Sequence, residues 1–515
     1  MQIELKFRIA PEDLPAFRRH PLLVRYASSK TPACQCTDLY FDTPDFLLQR
    51  HSVALYVTRV GKRWKRVLTA NAGLFTPKHR QPEWEADMSE ANPDCAAIAG
   101  LFREEPELQS CRFDESICAT LIPMFTIDCR RAAWHLEFGQ GRGAELTLSQ
   151  GEVHCRNARD PVCELSIVHR SGAPDACLEF ALAIQRDFKL HFAYRCQTNV
   201  GYALCDPKQM RVVNVKPLIL LSDSGIEQGM ESIFRSCMQH IFGNAAGVLK
   251  GGEMECIHQM RVGLRRLRSA LDIFEPLRPC PEKIRLELAW LSSRLGDARD
   301  WDVFDASAIP AFVERAGEVD GLAALRKQVR REINRTHRQA AVAVDSLRST
   351  RLWLNLERWL IDANGMRMVP ESSEEARSML LRDFAEQNLK RFHKKMLKRS
   401  VLMKADEPRS RHRLRIASKK LRYATEFFVS YYRKKPAARF LGKLAKLQDI
   451  FGASNDTAVA GQLLRTLAQK HPDLSEICDD VWDSLAAADQ NRVQKLGKRV
   501  RRVSMLKRLQ LRKSA

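Results

Sequence analysis

The residues able to do chemistry in this sequence are cations in a repeated order. His258-Gln-Met-Arg261-Val-Gly-Leu-Arg265-Arg266-Leu-Arg268 returns as His412-Arg-Leu-Arg415-Ile-Ala-Ser-Lys419-Lys420-Leu-Arg422, at a constant offset of 154. No acid lies between Arg261 and Arg268, and none between Arg411 and Arg422. At about 100° per residue, His258, Arg261, Arg265 and Arg268 fall on one side of a helix. Leu264, Leu267, Leu271 and Phe274 fall opposite, and the second copy repeats the division with Leu414, Leu421, Thr425 and Phe428. The apolar stripe is a core face. A solvated helix face normally mixes signs, because acid–base pairs one turn apart stabilise it. Several like charges gathered on one face cost free energy unless an anion offsets them. Arginine forks bind phosphate oxygens in pairs, and repeated arginines suit a repeating anion.

A nucleic-acid ligand ranks lower. Binders of single strands interleave aromatics for stacking, and the only aromatic within either cluster is Tyr423. No Gly-rich Walker loop or zinc-finger spacing appears. A second repeated element, Leu295-Gly296-Asp-Ala-Arg299-Asp300 and Phe451-Gly452-Ala-Ser-Asn455-Asp456, stands at an offset of 156. Its expected role is structural: glycine ending one helix and aspartate capping the next.

The charge balance places the partner. The chain has 515 residues and a net charge of +22, yet residues 1–205 hold 25 Lys+Arg and 25 Asp+Glu. The whole excess therefore lies beyond residue 205, and a polyanion is expected to bind there. The length implies two or three domains, and 45% hydrophobic residues suffice for cores. No run of about 18 apolar residues occurs and the start lacks the apolar stretch of a signal peptide, so no membrane partner and a cytoplasmic location are expected. Eleven of the 15 cysteines precede residue 206 without a Cys-x-x-Cys, and free buried thiols are the expectation.

The elements that must position these residues change type along the chain. Ile3, Leu5 and Phe7 alternate with Glu4, Lys6 and Arg8, the period of a strand with one apolar and one charged face. Val53–Val60 and Trp64–Ala70 read as a hairpin about Gly61. The fold class expected is multi-domain α+β: an antiparallel β-barrel over 1–205, a linker over 206–222, and an all-α helical bundle over 223–515. The bundle divides into four-helix repeats at about 223–361 and 374–510. In the helical part the motifs suggest breaks between Leu295 and Trp301, and between Phe451 and Asp456.

The two basic segments, with Leu295-Gly296-x-x-Arg299-Asp300-Trp301-Asp302, closely resemble the CHAD family over about residues 220–510. That resemblance implies two pseudo-symmetric four-helix halves that bind inorganic polyphosphate and associate with polyphosphate granules. The residues it nominates are His258, Arg261, Arg265, Arg266, Arg268, His412, Arg415, Lys419, Lys420 and Arg422, with no cofactor required.

The first 205 residues resemble the CYTH, or triphosphate tunnel, family through Glu4-x-Lys6, Tyr40-Phe41-Asp42-Thr43-Pro44, Arg80-x-x-Glu83-x-Glu85, Arg131-x-x-Trp134, Glu164 and Gly201-Tyr202. The resemblance implies a charged barrel lumen binding triphosphate and Mg or Mn, with inorganic triphosphatase activity as the alternative function. Lys6, Lys65 and Arg80 would be its cationic catalytic groups, and Glu4, Glu83, Glu85 and Glu164 its metal ligands. Against the family pattern, Gln2, Tyr56, Thr58, Thr69, Ser149, Ser166, Val168, Gln197 and Val200 stand where charged groups are expected. A triphosphate needs several cations around it, and its transfer to water needs a metal held by clustered carboxylates. An impaired tunnel is therefore the expectation.

Overall fold

The computed structural model describes residues 3–61, 63–70, 82–88, 94–109, 111–194, 196–206, 212–221, 223–251, 253–362, 379–404, 407–504, 509 and 511. Arg80 and Gln2 lie outside them. The chain forms two compact units, Met1–Arg211 with Asp345–Asp362, and Val212–Val344 with Ala363–Ala515.

Among the described residues the first unit is built on nine strands: β1 Glu4–Arg8, β2 Ala27–Asp42, β3 Val53–Val60, β4 Arg63–Ala70, β5 Glu83–Met88, β6 Ile122–Glu137, β7 Gly143–Cys155, β8 Ala158–Ser171 and β9 His191–Phe192. They make one sheet in the order β5-β4-β3-β2-β6-β7-β8-β1-β9, and neighbouring strands run antiparallel. Alternation produces it: Leu5 and Phe7 are buried while Glu4 and Lys6 on the other face are half-buried. The later strands run longer than their hydrophobic stretches suggest, because β6, β7 and β8 support one another over 13 to 16 residues.

Two short helices, Cys95–Glu104 and Glu115–Cys118, pack on an apolar cluster that includes Leu55, Val57 and Leu68. They are joined by a Cys95–Cys118 disulfide. This corrects the expectation of free thiols throughout; among the described residues thirteen cysteines are free. A 23-residue separation with no Cys-x-x-Cys gives no local sign of that pairing.

Helix Leu347–Ile361 belongs to this first unit although the chain reaches it from the helical one. Ser346 caps it, its hydroxyl accepting from the Ser349 N–H at 3.1 Å, which separates it from the preceding helix, Leu322–Val344. Trp353, fully buried, donates its indole N–H to the Tyr194 hydroxyl at 2.9 Å, and the Phe192 N–H donates to Thr350 Oγ1 at 3.0 Å.

The second unit is helical. Ile226–Gly251, Met254–Phe274, Glu282–Val303 and Leu322–Val344 are answered by Leu381–Val401, Pro408–Phe427, Lys434–Lys470 and Ser475–Ser504. The Gly–Asp motifs lie inside helices, not at their ends: Gly296 and Asp300 in Glu282–Val303, Gly452 and Asp456 in Lys434–Lys470. The capping role expected for them is thus corrected. A wide π-type turn at Phe304–Ala308 and a further helix, Ile309–Ala316, follow the first motif. Pro310, which cannot donate within a helix, accounts for that local widening. The equivalent of Pro310 is Thr466, and there the helix is unbroken. The two halves share one core, in which Leu325 and Val329 join Leu464, Leu467, Ile477 and Val481. No helix among the described residues is long and apolar enough to cross a membrane.

Candidate functional site

The apolar stripes behave as the wheel requires. Leu264, Leu267, Leu271, Phe274, Leu414, Leu421 and Phe428 are buried. Burying them turns the opposite faces of helices Met254–Phe274 and Pro408–Phe427 toward a cavity of about 1730 Å³. His258, Arg261, Arg265, Arg266, Arg415, Lys419 and Arg422 line it, seven of the ten nominated residues. The exposed Arg268 and His412 do not, nor does Lys420.

The basic pairs at the centre of each motif divide their labour. Arg266 is 3% exposed, reaches Glu426 of the other half at 3.4 Å, and stacks over Phe427 at 4.9 Å. Lys420 reaches back to Asp272 at 2.7 Å. The offset of 154 carries Arg266 onto Lys420 and Asp272 onto Glu426, so the two ion pairs are equivalent under the repeat. They tie the halves together. The same offset carries Arg261 onto Arg415 and Arg265 onto Lys419, and these four cations face the cavity.

The four are poorly compensated. Nε of Arg265 and Nε of Arg415 are buried without a hydrogen-bond partner. Arg261 has Asp300 at 3.7 Å. Burial, then Arg415, Arg265 and Arg261, push the Lys419 ammonium down to about 7 despite Asp456. Arg261 and Arg415 are lowered for the same reasons, burial first and like charge after it. His258 is lowered by burial and by Arg299, Arg265 and Arg261. Burial raises Asp300 and Asp456, against the pull of Arg261 and Arg415 among others. Arg422 is better neutralised, donating to Glu426 at 2.7 Å and Gln448 at 3.1 Å.

Four cations lining the cavity were not nominated: Arg299, Arg382, Lys216 and Lys434. Arg299 was within reach, since its motif repeats. Lys216 sits in the extended stretch 212–221, read only as linker. That stretch is fastened: the Val213 N–H donates to Asn244 Oδ1 at 3.1 Å, and the Tyr431 hydroxyl donates to the Leu221 carbonyl at 2.9 Å.

In the first unit the nominated tunnel groups other than Arg80 are placed on one face of the sheet but pair off singly. Lys6 has Glu4 at 3.0 Å, and Ser166 donates to Glu4 at 3.2 Å. Glu164 accepts from Gln197 at 3.0 Å. Lys65 holds Glu85 at 3.0 Å, and the Tyr56 hydroxyl reaches Glu83 at 3.5 Å. Burial lowers Lys6, but Glu4, Cys196 and Glu164 outweigh it and raise the group above its usual range. Burial raises Glu164, countered in part by Lys6 and Gln197. The middle of this face is aromatic: Tyr40 stacks on Tyr56 at 4.8 Å and on Phe125 at 4.5 Å. Arg131 pairs with buried Asp38, which also accepts from Thr58 at 2.6 Å. Among the described residues no group of three or more His, Cys, Asp or Glu is disposed to hold a metal ion.

Comparison with known proteins follows the same division. The CHAD domain profile matches residues 232–465 and the CYTH domain profile residues 1–187. The crystal structure of the CHAD domain from the plant Ricinus communis is 35% identical, with a TM-score of 0.53 over 59% of this chain and 99% of that one. An inorganic triphosphatase of Haemophilus influenzae is 23% identical over 207 residues, 39% of this chain. The chain spans about half the length of that curated relative, 54%.

Proposed function

The chain belongs to the CHAD family and carries a CYTH domain ahead of its CHAD domain, and on that premise we propose that it binds inorganic polyphosphate in the basic cavity of the helical unit. One observation carries the reading: Arg265, Arg415 and Lys419, drawn from both repeats, gather at one cavity, with Nε of both arginines unpaired and Asp456 too weak to offset the crowding at Lys419. Such an arrangement is unfavourable empty and favourable around a chain of phosphates, whose oxygens accept from guanidinium forks. Association with polyphosphate granules follows as the cellular consequence.

The test is equilibrium binding of size-fractionated polyphosphate to the full chain. Affinity is expected to fall steeply with salt, as for any ligand contacted through many phosphates. Arg265→Glu with Arg415→Glu is expected to abolish it, and unchanged affinity in that double variant would sink the reading. RNA at equal phosphate concentration is expected not to displace polyphosphate; displacement would favour a nucleic-acid ligand instead.

A second reading is favoured by the Haemophilus influenzae relative, an inorganic triphosphatase. In it the CYTH domain hydrolyses triphosphate with Mg or Mn, and the helical unit concentrates substrate. The paired-off carboxylates and the Tyr40–Tyr56–Phe125 stack support an impaired tunnel over an active one. Phosphate release from triphosphate with Mg or Mn, lost on Glu83→Ala or Glu85→Ala, would establish the enzyme reading.

A further inference from the structure

We propose that Gly296 is a positioning residue for the anion site, keeping helix Glu282–Val303 bare where the Arg261 guanidinium lies across it. The inference rests on the polyphosphate reading of the cavity. Gly296 sits in a helix interior, where glycine is less favourable than alanine, and its φ is not positive. Neither helix propensity nor backbone conformation therefore explains it. Proximity does. A Cβ at Gly296 would stand 2.3 Å from Nη1 of Arg261 and 3.5 Å from its Cζ. Asp300, one turn further along, approaches Nη2 of the same guanidinium at 3.7 Å. The glycine and the aspartate of the motif thus define one resting place, the first by leaving room and the second by charge.

The obstructed atom is the far end of a flexible side chain. A methyl at 296 would be relieved by moving the guanidinium, with nothing in the core disturbed. The fold is spared and the placement of the cation is lost. Around Gly452, its equivalent in the second repeat, no atom of the described residues beyond its own stretch of helix comes within 4 Å of where a Cβ would stand. Only the first repeat uses its glycine in this way.

The experiment is a double-mutant cycle on the full chain, with size-fractionated sodium polyphosphate as the probe and thermal unfolding measured alongside. Gly296→Ala is expected to unfold at the same temperature or higher, yet bind about tenfold more weakly, the order of one charge-assisted contact. Its salt dependence should be shallower by about one phosphate contact. In an Arg261→Ala background, adding Gly296→Ala should change neither affinity nor salt dependence. Wild-type affinity in Gly296→Ala, or an equal further loss in the Arg261→Ala background, would overturn the positioning role alone. Failure of the wild-type chain to bind polyphosphate would overturn the reading of the cavity, and this inference with it.

Discussion

Lys419 is a lysine whose charge is poised near neutrality. Helix Pro408–Phe427 presents Arg415 beside it, helix Met254–Phe274 presents Arg261 and Arg265, and helix Lys434–Lys470 presents Asp456. Burial and the three arginines hold the group at about 7, against 10.5 for a free lysine. A bound phosphate chain would reverse the balance, so binding above pH 7 requires proton uptake. Affinity is expected to be level below about pH 7 and to weaken above it, by at most about tenfold per pH unit for one proton. Lys419→Arg, which stays charged, should flatten that profile; a profile as steep as wild type in the arginine variant would exclude Lys419 as its source. Stability has the opposite sign. The unfolded lysine keeps its proton to about 10.5, so the folded state loses stability as pH falls toward 7. Lys419→Met should therefore raise the melting temperature at pH 6 while weakening polyphosphate binding.

Helices were legible where a period of 3.6 residues marked them, and the basic faces with them. The sequence could not say which cation of each basic pair serves the ligand. Arg266 and Lys420 look like members of the anion cluster, but each crosses to an acid of the other half. Only the approach of the two helices reveals that, because Glu426 lies 160 residues along the chain from its partner Arg266, and Asp272 and its partner Lys420 are likewise far apart in sequence. The Gly–Asp motif was misread for a related reason. Glycine at a helix end is a local signal, whereas the cause here is a guanidinium from another helix. The two crossing pairs are equivalent under the repeat yet unequal in burial, which gives a test. Glu426→Gln leaves Arg266 buried without its acid and should cost about 3 kcal/mol or more in denaturant unfolding. Asp272→Asn releases Lys420, which is 35% exposed, and should cost less than about 1 kcal/mol. Equal losses would mean that burial does not set the strength of this tie.

At the scale of the molecule, the charge excess and the shared core of the helical unit act against each other. The core joining Leu325 and Val329 to Leu464, Leu467, Ile477 and Val481 holds the halves together. The same association brings Arg261 and Arg265 against Arg415 and Lys419. Without ligand this repulsion weakens the fold, and screening should relieve part of it. Raising the salt is therefore expected to increase the melting temperature of the unliganded chain. Polyphosphate at low salt should increase it more, by mass action, with about 2.7 kcal/mol of added stability at a hundred times the dissociation constant. The two effects should not add, because salt also displaces the ligand. Scanning calorimetry of the full chain across salt concentrations, with and without polyphosphate, separates them. A polyphosphate shift that persisted unchanged at high salt would place the ligand somewhere other than this cluster of cations. A shift that appeared only with added Mg or Mn would point to the CYTH domain and away from binding by cationic side chains alone.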